Sequence, residues 1–180
     1  MAKQAAGRSR TKRAGSGTRR SARAPHRSDG AAAAAQLAGF IDKFEPAMAR
    51  RIRACRAAVR KLLPTTNELV YDNYNFFVIG YSTTKRPSDS IVTLACNAKG
   101  VGLCFYYGAT LPDPEGVLQG SGSQTRFIRL AGPQTLSEPA VAALIDTAVA
   151  QADPPPARTG RGVTIIRMIS KKQRPRRVAK

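Results

Sequence analysis

Large apolar residues recur at steps of three and four from Leu37 through Phe40, Ile41, Phe44, Met48, Ile52, Cys55 and Val59 to Leu62. That spacing predicts an amphipathic helix. Pro46 lies inside the pattern, so the helix is expected to kink or restart there, with Pro46 near the first position of the second piece, and Pro64 ends it. Arg50, Arg53, Arg56, Arg60 and Lys61 fall opposite the apolar arc, and Arg51 sits at its edge. Residues 37–63 carry seven basic residues against two acids, Asp42 and Glu45. The basic face reads as a solvated face, or as part of a wider cationic surface.

Period-two runs follow. Val70–Tyr81, Ser90–Cys96, Val101–Tyr107 and Thr125–Leu130 read as strands, each bounded by Gly, Pro, Asn, Asp or Ser. Asn97-Ala-Lys-Gly100 reads as a hairpin turn. A register pairing Cys96 with Val101 puts Val92, Leu94 and Cys96 on one face with Val101, Leu103 and Phe105, an entirely apolar set. Ser137 is expected to cap a further helix with Pro139 in its first turn and Val141, Leu144, Ile145, Ala148 and Val149 on one side. Val163–Ile169 reads as a last strand. The predicted class is α+β: one domain, an antiparallel sheet of about five strands with helices on one face. Its parts are a basic disordered tail over 1–35, the body over 36–152, a Pro/Gly-rich connector over 153–162, the final strand over 163–169 and a basic tail over 170–180.

Charge changes the picture because of where it lies. The 180-residue chain has 30 Lys+Arg and 11 Asp+Glu, a net charge of +19. Residues 1–30 hold nine basic residues and one acid, and 156–180 hold nine and none, whereas 31–155 hold twelve against ten. The first thirty residues have no large apolar side chain, so they cannot bury enough surface to offset their ordering entropy. Lys/Arg-rich arms neutralise phosphates and release counterions. Arg19, Arg20, Arg23, Lys171, Lys172, Arg174, Arg176 and Arg177 are therefore the candidate non-specific nucleic-acid contacts. Alternatively, the tails solubilise the chain or carry an address, since the first has transit-peptide composition. No apolar run approaches 18 residues and no Sec-type h-region is visible. Three scattered cysteines without a bridgeable pair fit a reducing compartment, hence a cytoplasmic expectation.

Catalytic chemistry finds little support in the residues. The only histidine, His26, lies in the N-terminal tail, out of reach of a packed Ser–His–Asp or Cys–His site. The cysteines lack zinc-ligand spacing. Asp113 and Glu115 in Leu-Pro-Asp-Pro-Glu-Gly read as a solvated turn. Glu68 and Asp72, near Asn73 and Asn75, read as a surface edge or the start of a cation site. The loop Gly120-Ser-Gly-Ser-Gln-Thr-Arg126 is the candidate anion or small-ligand site, an ordinary inter-strand loop being the alternative. In it Gly120 and Gly122 would free backbone N–H groups to converge, Ser121, Ser123 and Thr125 would add hydroxyls, and Arg126 would add charge.

Phe40-Ile-Asp-Lys-Phe, Arg53-Ala-Cys-Arg, Leu63-Pro-Thr-Thr-Asn-Glu-Leu-Val-Tyr71 and Leu111–Leu130 together resemble the bacterial YdhG-like domain family. The likeness spans about residues 37–150 and implies a small α+β domain of largely unknown function. Some relatives are regarded as frataxin-like intracellular iron chaperones, with iron on an acidic ridge along the first helix and adjoining strand. Here the corresponding helix is basic, and only Asp42, Glu45, Glu68 and Asp72 remain of such a ridge. The resulting expectation is a binding or accessory module, without a resident cofactor, whose tails associate with nucleic acid. The alternative is an iron chaperone or a binder of small anions, with Glu68 and Asp72 as iron ligands.

Overall fold

Pro46 divides the long apolar stripe into two helices, α1 (Arg27–Asp42) and α2 (Pro46–Leu62). Proline has no N–H to leave unsatisfied at the first helical position, so it opens α2 rather than bending one long helix. The structure, a computed structural model, describes residues 27–177. The tail expected over 1–35 is corrected in part: residues 27–35 belong to α1, where an alanine run propagates the helix. Residues 1–26 lie outside the described residues.

The single run expected over 70–81 is two strands, β1 (Asn67–Asp72) and β2 (Phe77–Ser82), joined by a tight turn in which Asn73 N–H donates to the Phe76 carbonyl (2.9 Å). Tyr74 and Phe76 are strong β-formers, and they mask a turn that Asn73 and Asn75 supply. β3 (Ser90–Asn97) and β4 (Gly100–Phe105) pair in the expected register, with Cys96 opposite Val101, Leu94 opposite Leu103 and Val92 opposite Phe105. Asn97 Oδ1 holds their turn by accepting from the Lys99 and Gly100 N–H groups (2.8 and 3.1 Å). β5 (Arg126–Leu130) adds to β4. A 3₁₀ turn, Pro133–Ser137, then leads to α3 (Pro139–Ala150). Ser137 closes that turn instead of capping α3; the N-cap is Glu138, which makes no side-chain capping bond.

The sheet has six strands in the order β5-β4-β3-β2-β1-β6 and is mixed, which corrects the antiparallel expectation. β6 (Thr164–Ile169) runs parallel to β1. The chain leaves β5 at one edge and returns through α3 and the proline connector to the opposite edge. No hairpin can make that connection, so the crossover sets the direction. Gly162 marks the entry: a Cβ there would overlap the Thr66 carbonyl, so only glycine lets the incoming chain pass against the start of β1.

All three helices cover one sheet face. Leu37, Ile52, Val59 and Leu144 pack in one cluster with Ile79, Leu94 and Leu103. On the other face stand Val78, Ala95, Gly102 and Phe127, related by strand pairing and alternation, with no helix over them. Cys55, Cys96 and Cys104 are free thiols, and Cys104 is partly exposed where the others are buried.

Candidate functional site

Two carboxylates expected at a surface edge are instead fully buried, Glu68 and Asp72 both showing 0% exposure. Both alternate onto the helix-covered side of β1, four residues apart, and so meet side chains from α1, α2 and the C-terminal segment. Helical spacing places Arg56 and Arg60 one turn apart on α2. Arg56 grips Glu68 with a two-pronged fork, Nε to Oε1 and Nη2 to Oε2, both 2.7 Å. Arg60 stands 3.3 Å from Oε2, and the Thr164 hydroxyl of β6 donates to the same oxygen at 2.7 Å. The hydrogen bond to Glu68 raises the Arg56 pKa, and burial followed by the nearby Glu68 charge holds the Tyr81 phenol well above its usual value.

Asp72 is held by Lys43 (Nζ–Oδ2 2.6 Å) and Arg176 (Nη2–Oδ1 2.8 Å). The Arg176 guanidinium also donates to the Asn73 and Asn75 carbonyls of the β1–β2 turn (2.5 and 3.0 Å), and it lies 5.9 Å from the Phe44 ring centroid. Gln173 bonds Lys43, and Arg177 Nε donates to the Lys43 carbonyl at 3.3 Å. Arg174 N–H donates to the Tyr74 carbonyl (2.9 Å) while its guanidinium lies over the Tyr74 ring. The basic tail expected over 170–180 is thus corrected: residues 170–177 are strapped across the end of the sheet. The side chain of Arg176 is 3% exposed. Only Lys171 and Lys172 of that group are exposed without an ion pair or stacking partner among the described residues. Arg19, Arg20 and Arg23 lie outside the described residues.

These carboxylates do not fit iron. A hard cation needs free carboxylate oxygens, yet all four acids of the possible ridge face cations: Glu68 and Asp72 as above, Asp42 with Arg53, and Glu45 with Arg177. Among the described residues no group of three or more His, Cys, Asp or Glu could hold a metal ion. The α2 face expected to be solvated is corrected for two of its five cations, since Arg56 and Arg60 pair with buried Glu68, whereas Arg53 stays exposed in a surface pair with Asp42.

The 120–126 loop is exposed and closed on itself. Gln119 and Phe127 exchange backbone hydrogen bonds (2.8 and 2.9 Å), and Gly120 supplies a positive φ of 106°. Ser121, Gly122 and Ser123 are exposed at its tip, and the Thr125 hydroxyl donates to the Tyr106 carbonyl. Arg126 turns its Nη1 onto the Gly122 and Thr125 carbonyls, so these donors brace the loop's own backbone. Asp113 accepts the Val117 and Leu118 N–H groups (3.0 and 2.8 Å), as a turn residue does.

Sequence reasoning missed a different constellation. A concave surface of about 540 Å³ runs from the uncovered sheet face around the β3–β4 turn. Arg51 reaches it from α2, Lys99 from the turn and Arg129 from β5; Phe76 and Phe127 supply rings, and Ala95 and Gly102 are among the small residues lining it. No acid lines it, and none of the three cations forms an ion pair among the described residues. Cys104 also lines it, its thiol pushed up to about 11 by burial. The position of Arg51 at the edge of the apolar arc was the one available signal; the rest required strand order. A second cavity of about 250 Å³ lies between Ser88–Ile91 and the end of α3. Its Asp89 is held below the usual carboxylate range by hydrogen bonds from Thr84 and Ser88.

No helix among the described residues is long and apolar enough to cross a membrane. Comparison of the chain with protein-family models, with curated proteins and with solved structures finds no match.

Proposed function

We propose that the protein is a binding module, YdhG-like by the resemblance of residues 63–71 and 111–130, that associates with nucleic acid without sequence specificity. The observation that carries this reading is the sorting of charge. Both buried carboxylates of β1 are neutralised inside the fold, and the cations left over, among them Arg51, Lys99, Arg129, Lys171 and Lys172, have no acidic partner among the described residues. Uncompensated cations attract polyanions and gain affinity by releasing counterions. Arg19, Arg20 and Arg23 add to the same charge in the sequence.

The test is a salt titration of the full chain with labelled mixed-sequence nucleic acid. The logarithm of the binding constant should fall linearly with the logarithm of salt. Lys171→Ser with Lys172→Ser, and separately Arg19→Ser with Arg20→Ser and Arg23→Ser, should each make that slope shallower, by about 0.7–0.9 for each phosphate no longer neutralised. A chain that binds no nucleic acid at low salt, or a slope indifferent to both sets of substitutions, refutes the reading.

A further inference from the structure

We infer that the concave surface beside the β3–β4 turn is a single-strand site, at which unstacked bases lie against Phe76 and Phe127 while phosphates meet Arg51, Lys99 and Arg129. The inference rests on the nucleic-acid reading above and assigns the folded body its own share of that binding.

Three observations choose this occupant. The first is charge: three cations converge from three elements onto one concavity that no carboxylate lines, which is complementary to a polyanion. The second is the rings. Phe76, the residue before β2, is 41% exposed, the one phenylalanine among the exposed large apolar side chains of the described residues, and it lines the concavity. Phe127 lines it too, with Arg129 6.0 Å from its ring centroid. Strand order separates the two rings by β3 and β4, a distance on the order of 14 Å at normal strand spacing. The third is the floor between them. Ala95 pairs with Gly102, and these two small residues leave a depression where larger side chains would level the surface. At about 540 Å³ the concavity has room for a nucleotide.

An exposed ring such as Phe76, with the half-buried Phe127 beyond it, discriminates between nucleic-acid forms. In a duplex the base faces are stacked on one another, and only edges and phosphates are offered. A single strand can present the faces themselves, and every base has one, so stacking adds affinity without sequence preference. The tails, being cations without rings, have no such discrimination.

The test uses the full chain with an oligothymidylate of about twenty nucleotides, a duplex of equal length, and heparin as a polyanion without bases. Phe76→Ala should weaken oligothymidylate binding about tenfold and leave heparin binding unchanged. The chain has no tryptophan, so Phe76→Trp installs a single reporter. Its emission should be quenched by oligothymidylate and not by heparin. The inference is overturned if Phe76→Ala binds the oligonucleotide as tightly as the parent, if heparin quenches the reporter equally, or if duplex binds as tightly as single strand. In those cases salt-dependent binding persists and the proposed function stands. If no nucleic acid binds at any salt, both fall together.

Discussion

Arg56 and Arg51 occupy the same helix five residues apart, yet they belong to opposite regimes. Arg56 is committed: its guanidinium forks onto a fully buried carboxylate, and with Arg60, Lys43 and Arg176 it neutralises the two buried acids of β1, Thr164 adding a hydroxyl hydrogen bond. Arg51 is uncommitted: it joins Lys99 and Arg129 around a concavity without any acid. A count of basic residues treats the two alike. Pairing distinguishes cations that hold the fold from cations that remain available to a partner, and the two sets sit at different places in one sheet.

Removing the anion from the committed region should produce the largest effect. Asp72→Ala leaves the 3%-exposed Arg176 side chain and Lys43 without their counter-charge, so unfolding free energy should drop by about 3–5 kcal/mol in urea denaturation, because an unpaired buried charge loses hydration without compensation. A loss under about 1 kcal/mol would place Arg176 among the solvated cations and erase the contrast. The opposite outcome is expected in the uncommitted region. Arg51→Ser with Lys99→Ser and Arg129→Ser should change stability by no more than about 0.5 kcal/mol per site. It should reduce the salt slope for single strands by about 2.

Chemical labelling sharpens the same boundary. Cys104 lines the concavity and its thiol is pushed up to about 11 by burial, so the reactive thiolate is scarce at neutral pH. Its alkylation rate should rise about tenfold per pH unit from about pH 7 to 10, and bound oligothymidylate should slow it. Cys55 and Cys96, both at 0% exposure and both with raised thiol pKa values, should react only on unfolding. A Cys104 rate that levels off near pH 8.5 would mean a wetter surface than the structure has. A modest effect is expected from Arg126→Ala. Its bonds go to carbonyls of an exposed loop, so the expected loss is about 1 kcal/mol or less, and phosphate should not shift the melting temperature of parent or variant.

Much of the architecture was legible because it is written in local periods. The 37–62 stripe, the Cys96–Val101 register and the apolar side of α3 depend only on which residues lie three, four or two apart. The misreadings of charge share one cause: each depended on a neighbour distant in the chain, whereas the missed β1–β2 turn and the shifted cap of α3 were local ambiguities. Glu68 and Asp72 read as edge acids because nothing nearby in sequence announces that Arg56, Lys43 and Arg176 converge on them, the last 104 residues away. Arg176 read as tail because its partners lie on the turn between β1 and β2. The concave surface was illegible for the same reason, since Phe76, Lys99 and Phe127 line one concavity only once β2, β3, β4 and β5 are ordered.

The sequence by itself determined the class of fold, the helix break at Pro46, the central hairpin and the total excess of positive charge. Each follows from local stereochemistry, from the burial of a periodic apolar face, or from simple counting. Only the tertiary structure decided which cations are spent. Ion pairing needs two side chains within about 4 Å, and that distance is set by the packing of α1 and α2 on β1 and, for Arg176, by the parallel return of β6 beside β1, none of which a local pattern encodes.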